Sequence, residues 1–302
     1  MRSMRIVSLL PSATEIAFAL GLGDAIVGVT HECDYPPDAR SKPNLTRTTL
    51  NRAGTSAEID AATSGHLDAG STSYQLNERL LVELEPDLIL TQTLCEVCAV
   101  PHSLVQGALP AFRHRPKILS LGPASFADVL SNIKTVGDHT WRSAEARSLI
   151  SMLRARVDRV SLAAAARVPT RVFCMEWLDP PWTAGHWVPD MVGLAGGIEV
   201  LGQARQPSRR VSWTEIERAQ PAVIVLAICG FDLARTRQEL GRTSWPAEWS
   251  RLPAVQNGQV YAVDGSAYFT RPGPRLVDGI EILYELWSGQ RDAVANRFER
   301  VA

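Results

Sequence analysis

The thirty residues from 138 to 167, DHTWRSAEARSLISMLRARVDRVSLAAAAR, contain neither proline nor glycine. Ala, Leu, Arg and Glu, which dominate this stretch, lose little rotamer freedom in a helix. Leu149, Met152, Leu153, Val157, Val160 and Leu162 recur mostly every three or four residues, the spacing of one apolar stripe. At ~1.5 Å per residue such a helix would run for about 40 Å, longer than one small lobe. Strand-like segments lie on both sides of it. The sequence therefore predicts an N-terminal α/β lobe over residues 1–137, a rigid connecting helix over 138–167, and a C-terminal α/β lobe over 168–302. An ordinary long surface helix within one domain is the alternative.

A chain of 302 residues, 45% of them hydrophobic, is large enough for two such units. Its 31 basic and 32 acidic residues nearly cancel, and no basic run is long enough to follow a phosphate backbone, which argues against nucleic acid as the main partner. No apolar stretch approaches the ~20 residues that cross a bilayer. At the N-terminus, Pro11 and Glu15 interrupt the apolar core that a secretion signal requires. As written, the sequence predicts a cytoplasmic protein, periplasmic or cell-surface only if the true N-terminus lies upstream. Its five cysteines then need not pair.

Residues 5–10 (RIVSLL) read as a first strand, broken by Pro11; Ser12 or Thr14 can cap the helix that follows. Strands are predicted at 25–29, 88–91, 117–119, 171–174, 223–227 and 259–263. Helices are predicted at 56–63, 77–84, 100–109, 124–133, 187–194, 213–219 and 274–287. This alternation predicts two Rossmann-like α/β lobes with largely parallel sheets. Two pairs of stretches echo each other in corresponding order. Residues 78–90 match 214–226, a helix, a proline turn and a buried strand; residues 15–29 loosely match 188–202. Related lobes would bring the loops at the C-terminal strand ends together across a cleft, where open α/β sheets bind ligands.

Those loops are predicted to carry Pro11, Ser12, His31, Glu32, Cys33 and Tyr35 in the first lobe. In the second they carry Trp177, Trp182, His186, Trp187, Phe231, Tyr268 and Phe269. Aromatic residues concentrated in Pro- and Gly-rich loops suit a large flat or apolar ligand; anchoring of the loops to the core is the alternative. Cys95 and Cys98 have the spacing of a metal or redox pair that His31 and Cys33 could complete, although small thiols are also common in ordinary cores. No GxGxxG, Walker, HExxH or GxSxG pattern is present.

Residues 5–37 (RIVSLLPSATEIAFALGLGDAIVGVTHECDYPP), 80–92 (LLVELEPDLILTQ), 173–187 (FCMEWLDPPWTAGHW) and 267–283 (AYFTRPGPRLVDGIEIL) carry a family resemblance. The chain resembles the cobalamin-binding members of the periplasmic substrate-binding proteins of ABC transporters, the helical-backbone class with two lobes joined by one rigid helix. The resemblance covers nearly the whole chain. It implies non-enzymatic binding of cobalamin or a related corrinoid, with Pro11, the loops at 32–35 and 177–182, and Tyr268 beside the ligand. It also implies docking of rim acids, Glu78 and Glu215, onto a membrane permease. The pattern differs at Ser208, where an aromatic is expected, at Ala267, where an acid is expected, and in its HEC and LCEVC segments. The alternative function is a metal- or thiol-dependent cytoplasmic enzyme using Cys33, Cys95 and Cys98 as metal or redox ligands.

Overall fold

The computed structural model describes residues 4–92, 100, 102–289 and 297–302. The chain divides into two compact units. Unit 1 comprises Met1–Arg52, Ala61–Pro123 and Asp128–Ser151; unit 2 comprises Ala53–Asp60, Ala124–Ala127 and Met152–Ala302. This differs from lobes divided at 137 and 168. Residues 53–60 and 124–127 belong with unit 2, and the long helix contributes residues to both.

Unit 1 carries β1 (Ile6–Ser8), β2 (Ile26–Gly28), β3 (Thr46–Thr48), β4 (Tyr74–Leu76), β5 (Leu88–Thr91) and β6 (Lys117–Ser120). Four of them form a parallel sheet in the order β2-β1-β5-β6, and β3 pairs antiparallel with β4. β1 and β5 are buried throughout, as central strands with both faces covered must be. Val7, Leu9, Leu45, Leu81 and Ile89 form the packed centre of this unit.

Unit 2 carries β7 (Thr170–Trp177), β8 (Trp182–Thr183), β9 (Gly197–Glu199), β10 (Val223–Leu226), β11 (Val260–Val263) and β12 (Phe298–Arg300). Here β9, β7, β10 and β11 run parallel in that order, the same plan as β2, β1, β5 and β6. The echoes in the sequence thus correspond to equivalent elements. Helix Glu78–Glu83 leads into β5 as helix Trp213–Ala219 leads into β10, and each strand is central in its sheet. Helix Pro11–Ala19 precedes β2 as helix Val188–Leu194 precedes β9, each strand lying parallel beside the first of its sheet. β8 and β12 add antiparallel edges. Phe173, Met175, Ile216, Ile224, Leu226 and Val260 fill the core of this unit.

The proline- and glycine-free stretch is helical over Ser143–Ala164, 22 residues or about 33 Å. Residues 140–142 separate it from helix Phe126–His139. Gly137 O accepts from Thr140 N (3.3 Å) and Arg142 N (2.8 Å), and Trp141 takes the left-handed conformation at φ 56°. A Cβ on Gly137 would stand 2.5 Å from that of Ala146, so only glycine allows this approach. The buried face of the helix runs through Ala146, Leu153, Val157 and Ala164. Met152 and Leu162 do not join the stripe expected of them: they are 53% and 79% exposed. No helix among the described residues is long and apolar enough to cross a membrane.

Candidate functional site

In a parallel sheet every strand delivers its next loop to the same edge, so the two C-terminal edges collect most of the expected residues. At the edge of unit 1, the chain turns from β1 straight into helix Pro11–Ala19 with Pro11 at its first turn. Neither Ser12 nor Thr14 caps this helix. Thr14 Oγ1 lies instead 2.9 Å from Ser8 Oγ and 3.1 Å from Cys33 Sγ, while Thr30 Oγ1 reaches the same sulfur at 3.1 Å. Pro11, Ser12 and Cys33 are buried. Cys33, which the sequence offered as a metal or redox ligand, is a buried thiol held by two hydroxyls. Cys95 and Cys98 lie outside the described residues. Among the described residues no group of three or more His, Cys, Asp and Glu side chains could hold a metal ion.

The loop after β2 leaves Tyr35 44% exposed and His31 half-buried. His31 Nδ1 is 2.7 Å from Thr46 Oγ1, its Nε2 is 3.4 Å from Arg52 Nη2, and its ring lies 5.9 Å from that of Tyr74. A guanidinium only donates, so Nε2 is the accepting nitrogen and Nδ1 carries the proton given to Thr46. Burial pushes the imidazole pKa below its ordinary range; Glu32 pulls it back up and Arg52 lowers it further. Glu32 itself pairs with Arg52 and accepts from the Tyr74 hydroxyl at 3.2 Å. A cavity of about 270 Å³ opens beside this loop, lined by His31, Cys33, Asp34, Arg40, Lys42 and Asn44 among others.

At the edge of unit 2, Trp177 ends β7, Phe231 follows β10 and Tyr268 follows β11. Trp177 packs 5.4 Å from Phe231 and donates its indole N–H to Ser56 O at 3.1 Å. Trp182 is paired across from Trp177. Each of the other three rings lies under an arginine: Arg210 over Trp182 at 5.5 Å, Arg235 over Phe231 at 4.3 Å, and Arg275 over Tyr268 at 5.9 Å. Acids answer these cations, Asp60 holding Arg210 at 2.7 Å and Glu239 holding Arg235 at 2.8 Å. Glu239 also accepts from Ser56 N, and Arg235 donates to Gly54 O. Burial raises the Asp60 carboxyl pKa against the pull of Arg210.

Three expected residues lie elsewhere. The segment after β8 runs back antiparallel along β7, with Ala184 N bonded to Cys174 O, which carries His186 away from the strand end. His186 stacks on Trp187 at 5.6 Å, its Nδ1 is buried with no hydrogen-bond partner, and burial lowers its pKa. Trp187 is 7% exposed and donates to Phe269 O at 2.7 Å, and Phe269 is fully buried. These two rings are core. Cys174 lies inside β7, as the predicted strand at 171–174 has it, and is fully buried. The thiol-enzyme alternative therefore gains no support from Cys33 or Cys174. Sequence reasoning missed Thr46, Arg52 and Tyr74, because residues 44–76 show little periodicity. It also missed Arg210, Arg235 and Glu239, whose only signal is a charge near an aromatic.

The profile of a family described as periplasmic binding protein matches residues 6–267. A vitamin B12-binding protein of Vibrio cholerae is 27% identical over 279 residues, covering 92% of this chain and 86% of that protein. The fold is shared with the crystal structure of the periplasmic vitamin B12-binding protein of Vibrio cholerae, with TM-score 0.68 and 24% identity over 94% of this chain and 96% of that one. It is shared equally with a periplasmic heme-binding protein of Pseudomonas aeruginosa, with TM-score 0.73 and 18% identity over 100% and 99% of the two chains.

Proposed function

Because this chain belongs to the periplasmic binding protein family, we propose that it binds cobalamin or a related corrinoid, without converting it, as the ligand-binding component of an ABC transporter. The observation that carries the reading is the gathering of Trp177, Trp182, Phe231 and Tyr268 at the strand ends of one unit. Flat rings backed by guanidinium groups offer an apolar yet polarisable surface to a macrocycle. On unit 1 the loop after β2 carries Tyr35, exposed, and His31, half-buried. The 270 Å³ cavity falls below the ~300–1,000 Å³ of sites for drug-sized ligands, so it does not hold the macrocycle. For the permease contact, Glu78 is exposed at the start of its helix, whereas Glu215 is committed to a capping box with Ser212 and to Arg209 at 3.0 Å. Glu78 is therefore the better placed of the two.

Titration calorimetry and tryptophan quenching with cyanocobalamin test the reading. Saturable one-to-one binding is expected, and Trp182→Ala should weaken it by about 2 kcal/mol, as loss of a contact aromatic does. Thermal unfolding of the ligand-free variant should change little. Saturable binding of hemin with none of cyanocobalamin would move the chain to the heme-binding side of the family.

A further inference from the structure

We infer that residues 53–60 form an autoinhibitory strap on the strand-end face of unit 2, which a ligand displaces to reach Trp177 and Phe231. This rests on the corrinoid reading above. Strap and rings belong to the same unit. Trp177 gives its indole N–H to Ser56 O at 3.1 Å. Arg235, lying 4.3 Å over the Phe231 ring, donates to Gly54 O, and Arg242 donates to Ala53 O at 3.3 Å. Asp60 holds Arg210, the arginine over Trp182, at 2.7 Å. Ile59 and Trp177 both pack against the apolar cluster that contains Phe231. Gly54 and Ser56 are buried, while Ala53, Ala57 and Glu58 are exposed, so the segment lies with one side on the rings. A macrocycle stacked on the same rings would need the space that it fills.

What the strap presents to this face is a set of acceptors. Backbone carbonyls and a carboxylate meet an indole N–H and guanidinium groups. A corrinoid presents the same chemistry, because its ring periphery carries amide carbonyls. The ligand can therefore take over these donors without leaving them buried and unpaired. Little apolar packing resists the exchange, since Ile59 is the one large apolar side chain in AGTSAEID. The segment also carries its own cap. Thr55 N donates to Glu58 Oε2 at 2.8 Å and Glu58 N to Thr55 Oγ1 at 3.3 Å, reciprocal bonds at the start of helix Ser56–Asp68 that do not depend on the rings. On release, Ser56 N exchanges the Glu239 carboxylate for water, and Glu239 keeps Arg235 at 2.8 Å.

Hydrogen exchange in peptides covering 53–60, with and without cyanocobalamin, tests the strap, because displacement of this segment and coverage of it have opposite signs. Its protection should fall as the protein is saturated. Ile59→Ser, which unseats the strap and leaves the rings and arginines in place, should lower that protection in the ligand-free protein. The same variant should bind cyanocobalamin about threefold or more tightly, since an occluded fraction weakens apparent affinity in proportion. Asp60→Asn, which loosens the other end of the strap, should act in the same direction. Thermal unfolding of each variant confirms that it is folded. Protection of 53–60 that rises or stays unchanged on binding, or variants that bind no more tightly, would overturn the strap and leave corrinoid binding standing. Failure of cyanocobalamin to bind the unmutated chain and both variants would overturn the corrinoid reading and this inference with it.

Discussion

Glu199 shows how far a single side chain can be pushed by the backbone around it. One carboxylate oxygen accepts from Leu201 N and Gly202 N, each at 3.1 Å, and the other accepts from Cys174 N at 2.9 Å. Three N–H groups favour the charged form, yet burial outweighs them and the carboxyl pKa rises to about 7. An acid with a raised pKa binds more protons folded than unfolded, so stability falls as pH rises. The contribution is fully present below the ordinary value of 4.5 and is lost by the time pH passes about 7. Thermal unfolding across this window should therefore show stability declining, and Glu199→Gln should flatten the decline. An unchanged slope in the variant would place its origin in another group. Nothing in the sequence announced this carboxylate, since its partners come from a distant strand, β7, and from the bend that follows its own. Trp187 and Phe269 were misread for a related reason. Their position after a strand is legible in the sequence, but the direction of the ring is decided by the turn that returns it to the core.

Elements whose signals are local were read closely. Asn77 caps helix Glu78–Glu83 through Leu80 N at 3.0 Å, and Ser212 with Glu215 forms the capping box of helix Trp213–Ala219. Each helix ends at a proline turn that launches a buried strand, so boundaries and echo were both visible. The pairing of β3 with β4 was not, because its partners lie far apart in the sequence and neither strand is apolar enough to stand out. The predicted connecting helix also began too early. Its opening residues are helix-compatible one by one, but the run breaks where Trp141 turns left-handed and Gly137 packs close to Ala146. That break leaves Trp141 81% exposed in the left-handed region, a conformation that costs a side chain about 1–2 kcal/mol. Trp141→Gly removes this strain but adds freedom to the unfolded chain, so a net gain of about 1 kcal/mol or less is expected. A raised melting temperature would confirm it; a lowered one would mean that the indole is held by packing.

The whole molecule was legible as two α/β units repeating one plan, because periodicity and repetition survive in sequence. The routing of residues 53–60 and 124–127 into unit 2 was not, because it depends on contacts distant in the chain, such as Glu239 with Ser56 N and Asp190 with Phe126 N. The proposed function carries a consequence for the stability of this whole. A ligand that binds the folded chain and not the unfolded one stabilises it by RT ln(1 + [L]/Kd), about 2.7 kcal/mol at a hundredfold excess over Kd. Each further tenfold in free ligand adds about 1.4 kcal/mol, with no plateau, because binding rather than turnover sets the term. Chemical unfolding in graded cyanocobalamin should therefore move the midpoint linearly with the logarithm of ligand concentration, and the corrinoid should be recovered unaltered. The slope follows from stoichiometry alone, so it does not depend on which residues touch the ligand. A midpoint indifferent to cyanocobalamin would remove it as cargo. A stabilisation that fades during incubation, with altered corrinoid recovered, would show that the chain converts what it binds.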